Sequence, residues 1–175
     1  MDSGAVNLSF AIASASDVAA LLSLHRSVAE DLTHRFGQGP WSPPATYNEK
    51  PLRYDLSRSK FVRILMARDR HGIAGSLRLQ TKKPWSIDTD YFSPVRRPLY
   101  LTGMAVHPRL HEKGIGRRLL AEAEAMARAW PRDAIRLDTF DADAGAGGFY
   151  RRCGYREVGR VSYRGVPHVY FEFLL

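Results

Sequence analysis

The chain has 175 residues, of which 45% are hydrophobic and 25% charged. That is the make-up of one soluble globular domain with enough chain to bury a core. Twenty-six Lys and Arg against 18 Asp and Glu leave a net charge of +8, which draws anionic ligands. The basic residues are spread from Arg26 to Arg164 without a dense block, which argues against a nucleic-acid-binding tail. No apolar run approaches the roughly 20 residues that span a bilayer. The first ten residues lack the basic-then-apolar pattern of a signal peptide, so none is expected. Cys153 is the only cysteine, which excludes an intrachain disulfide and suits a reducing cytoplasm.

Residues 7–13 alternate as a first strand, and Ser14, Ser16 and Asp17 supply helix-capping chemistry. Val18, Leu21, Leu22, His25, Ala29 and Leu32 recur at helical spacing and predict a helix to about Arg35, stopped at Gly37. Residues 38–50, with Pro40, Pro43 and Pro44 around Trp41, read as a loop. Residues 60–68 and 73–81 predict a hairpin turned at 69–72. Residues 82–98 form a Pro-rich connection with Trp85, Tyr91 and Phe92 expected to be exposed. A strand follows at 99–106, then a helix at 114–130 with Ile115, Leu119, Leu120, Ala123, Ala127 and Trp130 on its apolar side, ended by Pro131. A strand at 134–140, a short helix at 146–153 closed by Gly154, and a hairpin of 155–163 with 166–174 complete the chain. This order predicts an α/β, mixed-sheet fold with helices on its faces.

The stretch 99–130 carries the chemistry. A strand feeds a loop ending in Gly114-Ile115-Gly116 at a helix N-terminus. The N–H groups of a first helical turn have no intrahelical acceptor, and the helix dipole favours negative charge there, so the pattern suggests a phosphate-bearing ligand. It lacks the third glycine and later acid of a dinucleotide fingerprint, and the Gly-Lys-Ser/Thr of a Walker loop. Gly114-x-Gly116 alone is a weak signal that is also compatible with a helix-capping loop that binds nothing.

Read with its surroundings, MAVHPRLHEKGIGRRLL resembles the acyl-CoA pyrophosphate loop of the GNAT N-acetyltransferase superfamily. That signature, Arg/Gln-x-x-Gly-x-Gly/Ala after a strand ending in apolar-Ala-Val-x-Pro, falls on His111, Glu112, Lys113, Gly114, Ile115 and Gly116, with His111 replacing Arg or Gln. A second motif of the family, Asn, small residues, then aromatic-Tyr-x-Lys/Arg-x-Gly-Phe/Tyr, is matched by Asp143 through Phe149, Tyr150, Arg151, Arg152, Cys153, Gly154 and Tyr155, with Asp143 replacing Asn. The resemblance is firm from residue 99 to 175 and rests on element order before that.

The resemblance implies one GNAT domain over 1–175, an acyl-CoA N-acyltransferase fold with a six- to seven-stranded, centrally splayed mixed sheet. It implies acetyl transfer from acetyl-CoA to a primary amine by direct attack in a ternary complex. Met104, Ala105 and Val106 would pair with the pantetheine arm and polarise the thioester. His111 through Gly116, with Arg117 and Asp143, would hold the rest of the cofactor. Tyr150 falls at the family's frequent general acid and would return a proton to the leaving thiolate. The position of the family's frequent Glu base is Thr102 here, so a water chain or a more distant group must serve; Glu30, His34, His107, Asp138 and His168 are the candidates. Cys153 reads as a small buried apolar residue rather than a nucleophile.

The acceptor pocket would come from 25–36, 38–50 and 82–98, whose Phe36, Trp41, Tyr47, Trp85, Tyr91 and Phe92 form either an aromatic rim or pins for long loops. Glu30, Asp31, Asp88 and Asp90 supply local negative charge. The partners implied are acetyl-CoA and a small-molecule or peptide amine, with no nucleic acid, membrane or metal; a homodimer stays open. The departures at Thr102, His111 and Asp143 also fit a catalytically weak or inactive protein that binds acyl-CoA as a sensor. A charge-driven nucleic-acid module lacks any helix-turn-helix or RNP-like motif.

Overall fold

The computed structural model describes residues 6–42 and 49–175. Its seven strands form one mixed sheet in the order β1-β2-β3-β4-β5-β7-β6. They are β1 Ser9–Ile12, β2 Val62–Asp69, β3 Gly72–Gln80, β4 Pro98–Val106, β5 Ala134–Phe140, β6 Arg156–Tyr163 and β7 Val166–Leu174. The helices are α1 Val18–Phe36, α2 Lys50–Leu56, α3 Ile115–Ala129 and α4 Gly147–Arg152. Helices and strands therefore follow the predicted order, and the mixed, helix-flanked α/β class expected from that order is the one observed.

β4 and β5 run parallel but pair only from Pro98 with Ala134 to Tyr100 with Arg136. Beyond that β4 passes Gly103, whose φ of +58° is a left-handed conformation that side chains rarely tolerate. A glycine in that conformation inside a strand marks a bulge, which bends the strand and ends local pairing. β5 instead pairs antiparallel with β7 along its whole length, from Ala134 with Leu174 to Phe140 with His168.

The chain divides into two compact units, one of residues up to Arg78 with Gly103–Glu122, the other of Leu79–Thr102 with Ala123–Leu175. In the first, α1 buries Leu21 and Leu24 against Ile64, Met66, Ile73 and Ala105. Leu119 of α3 lies so near Gly75 of β3 that a Cβ there would meet its Cδ1 at 2.8 Å. In the second, Ile87, Phe92, Tyr100 and Tyr170 form a core under the 82–98 connection. Glu172 and Arg136, both buried, pin that connection: Ser93 N donates to Glu172 at 3.2 Å and Arg136 Nη2 donates to Ser93 O at 2.6 Å.

Two expectations are corrected and one element is added. α2 falls where no element was predicted: Pro51 sits in its first turn, where the missing N–H costs nothing and the fixed φ starts a helix. Phe92 is buried rather than exposed, stacked 5.3 Å from Tyr170 with the Arg136 guanidinium 5.0 Å from its ring; Trp85 and Tyr91 are exposed as expected. Cys153 is half-buried at the C-cap of α4. The predicted loop residues Pro43, Pro44 and Tyr47 lie outside the described residues.

Candidate functional site

In the first unit, β4 ends at Val106 and His107 starts a 3-10 turn over Pro108–Leu110, its Nδ1 accepting from Arg109 N at 3.3 Å. Burial, with the nearby Arg109 charge adding to it, pushes the His107 pKa down and keeps the ring neutral. Leu110 is buried and plugs the loop into the core. Arg109 reaches Asp69 of the β2–β3 turn with two hydrogen bonds, 2.7 and 3.1 Å.

The loop then takes two left-handed residues, Glu112 with φ +63° and Gly114 with φ +74°. A Cβ at Gly114 would meet nothing within 4 Å, so the glycine serves the backbone turn and leaves open space above the helix start. Arg118 N donates to Gly114 O at 3.2 Å, the first bond of α3. Ile115 is buried beneath, while Glu112, Lys113, Gly114 and Arg117 are exposed and Gly116 is half-buried. The arrangement presents first-turn amides at a positive dipole end, which suits an anion.

His111 does not project freely from this loop. Its Nε2 donates to Val106 O at 3.2 Å, tying the loop back to the end of β4. Met104 and Val106 are half-buried and Ala105 is buried, at the open end of the strand. A groove of about 930 Å³ beside the loop is lined by Arg68, Arg70, Arg109 and Lys113 with Asp69, a predominantly positive wall.

The second unit holds the other predicted residues. Asp143 is exposed on the turn after β5. Gly145 is required by that turn, because a Cβ would sit 1.8 Å from Phe140 O; this explains part of the glycine cluster without a ligand. Tyr150 is 5% exposed, packed against Phe149, Tyr155 and Phe171 with ring centroids 5.3–5.8 Å away. Burial first, then the Cys153 and Asp138 charges, push its phenol well above its ordinary pKa, so it stays protonated. Thr102 Oγ1 is buried with no partner among the described residues.

Of the candidate bases, Glu30 and His34 are exposed on α1. Asp138 and His168 are brought together: His168 Nδ1 lies 2.7 Å from Asp138 Oδ2 across β5 and β7. Their 30-residue separation hides this pairing from the sequence. A cavity of about 460 Å³ in the same unit is lined by Trp85, Asp88, Val161, Tyr163 and Tyr170. A smaller apolar one of about 180 Å³ in the first unit lies beside His25, Leu52 and Ser76, with His25 Nε2 3.2 Å from Ser76 Oγ. Neither residue of that pair stood out in the sequence, since His25 reads there as one more position on the apolar stripe of α1.

The acetyltransferase (GNAT) family model matches residues 26–155. The human "Probable N-acetyltransferase 14" is 40% identical over 65 residues, 34% of this chain and 32% of that protein. The chain thus spans about a third of the length of that curated relative. A GNAT-family acetyltransferase structure from Listeria monocytogenes superposes with a TM-score of 0.75 at 16% identity, over 100% of this chain and 99% of that one. The structure of Arabidopsis thaliana NAA60 in complex with acetyl-CoA gives 0.70 at 15% identity, over 97% and 99%.

Proposed function

The chain belongs to the acetyltransferase (GNAT) family, and from that premise we propose that it transfers an acetyl group from acetyl-CoA to a primary amine of a small molecule or peptide, as one domain spanning residues 1–175. The observation that carries this reading is the loop from His107 to Gly116. It delivers the end of β4 into open first-turn amides of α3, with left-handed Gly114 and a positive groove beside it. A pyrophosphate needs that combination of unpaired N–H groups, a helix dipole and a backbone free of side chains. The acetyl-CoA in the Arabidopsis neighbour supports the same choice of donor.

Acetyl-CoA, when bound, supplies the activated thioester. Met104, Ala105 and Val106 would align it along the end of β4 past its pairing with β5, with one N–H polarising the acyl oxygen; a donor of this kind is worth ~10²–10³ in rate. His111, Glu112, Lys113, Gly114, Ile115, Gly116 and Arg117 would hold the phosphates, chiefly by backbone amides. The side chain of His111 acts on Val106 O, so replacing the family's Arg or Gln by His trades a phosphate contact for a loop tie. Asp143, exposed and negative, adds no attraction for an anion. Tyr150 Oη would hold the proton that the departing sulfur requires. Its raised pKa makes it a reluctant donor until thiolate charge builds beside it.

The test is thiol release from acetyl-CoA against amino acids, peptides, polyamines and amine antibiotics, alongside calorimetric acetyl-CoA binding. Release with one amine class is expected. Binding without release across the panel identifies an acyl-CoA sensor instead, and absence of binding overturns the reading.

A further inference from the structure

Antiparallel partners directly opposite share a face of a sheet, and residues two apart on a strand do as well. The pairings of Asp138 with Tyr170, Phe140 with His168, and Val161 with His168 therefore put Asp138, Phe140, Val161, Tyr163, His168 and Tyr170 on one face. The cavity of about 460 Å³ is lined from this face by Val161, Tyr163 and Tyr170, and closed by Trp85 and Asp88 of the connection. His168 belongs to the same patch, its ring 6.3 Å from Tyr163 and 5.4 Å from Phe140.

The His168 side chain is 11% exposed and that of Asp138 13%. Nδ1 is engaged by Asp138 Oδ2 at 2.7 Å. Nε2 has no hydrogen-bond partner among the described residues, yet it is not one of the sealed orphans such as Tyr155 Oη. One nitrogen is thus anchored by a carboxylate, which sets the ring's orientation and tautomer, and the other is open to solvent. Lys83 and Asp88 line the adjoining cavity, the Arg164 guanidinium lies 5.3 Å from the Tyr163 ring, and Arg160 and Asp141 pair with each other at 2.9 Å. Tyr150 packs on Phe171, the next residue along β7 from Tyr170, and so lies on the opposite face.

We propose that His168, oriented by Asp138, is the general base for the acceptor amine, which is seated in the cavity between Trp85, Asp88 and Tyr163. The proposal rests on the acetyltransferase reading. As the amine nitrogen bonds to the acyl carbon, its proton passes to His168 Nε2, and the imidazolium formed is stabilised by Asp138. The carbon–sulfur bond breaks with its electron pair on sulfur, which takes a proton from the other face of the sheet, and His168 returns its own to water. Lys83 and Asp88 offset each other in the cavity lining, so its aromatic walls, not its charge, select the acceptor: a neutral amine on an apolar or planar body.

The experiment compares wild type with His168→Gln and Asp138→Asn. It reads acetyl-CoA affinity by calorimetry, the pH profile of thiol release with the best amine found, and rescue of His168→Ala by added imidazole. The expected result is a loss of about 10²-fold or more in turnover for His168→Gln at unchanged acetyl-CoA affinity, with its acid limb abolished. Asp138→Asn should lose about tenfold and move that limb to lower pH, and imidazole should restore part of the His168→Ala rate. His168→Gln within threefold of wild type, with the limb intact, overturns the base assignment and leaves the acetyltransferase reading standing. A wild type that does not bind acetyl-CoA, or releases no thiol with any amine, removes the reading and this proposal together.

Discussion

Arg109 and Asp69 form a two-pronged ion pair, 2.7 and 3.1 Å, that ties the loop before α3 to the turn between β2 and β3. The Arg109 hydrogen bonds hold the Asp69 carboxyl at about 2, against an ordinary value of 3.8. A depressed carboxyl stabilises the fold above its ordinary range, and that contribution drains away as pH falls through the folded value. Asp69→Asn should therefore flatten the stability profile between about pH 4 and pH 2. An exposed pair of this kind is worth about 0.5–1 kcal/mol at neutral pH. Denaturant titrations across that window check it, and a weaker acetyl-CoA affinity in the same variant would show that the tie also shapes the loop.

Gly114 separates strain from charge. Gly114→Ala forces a side chain into a left-handed conformation at a cost of about 1–2 kcal/mol. It should weaken acetyl-CoA binding about tenfold and lower stability by about that 1–2 kcal/mol. Gly114→Asp places a carboxylate over the same amides and should abolish measurable binding while the circular dichroism spectrum stays that of wild type. Equal effects of the two variants would locate the anion elsewhere.

Tyr150→Phe removes only a hydroxyl from an aromatic cluster that the ring itself fills. Acetyl-CoA affinity should stay within about twofold, and turnover should fall by about 10²-fold if this group protonates the sulfur. Steady-state kinetics with a thiol reagent separate the two quantities. Unchanged turnover would make Tyr150 a packing residue.

Glu172 accepts from buried Arg136 at 3.4 Å, from Arg156 at 3.1 Å and from Ser93 N at 3.2 Å. Removing the acid leaves a guanidinium buried without its counter-charge, which typically costs about 3–5 kcal/mol. Glu172→Leu should lower stability by that amount, and adding Arg136→Met should recover part of it. Urea unfolding of the single and double variants gives the comparison.

The strands and long helices were legible because their signals are local. Apolar spacing at α1 and α3, turn residues at Asp69–Gly72 and Arg164-Gly165, and the stop at Gly37 each act within a few residues. α2 was not, since Pro51 starts a helix as readily as it breaks one. Phe92 was misread because its burial depends on Tyr170 and Arg136, which are distant in the chain.

The candidate site divides the same way. The proposed phosphate cradle was legible in the chain alone, because Gly114, Ile115 and Gly116 with the helix they open are contiguous and their backbone chemistry needs no distant partner. The sequence also singled out Tyr150, Asp138 and His168, though only as separate possibilities. Tertiary structure alone decided that His111 is spent on Val106 O, that Tyr150 is sealed among aromatic rings, and that Asp138 and His168 meet at 2.7 Å. Those outcomes follow from strand register and burial, which set distances and dielectric surroundings that a one-dimensional pattern does not contain.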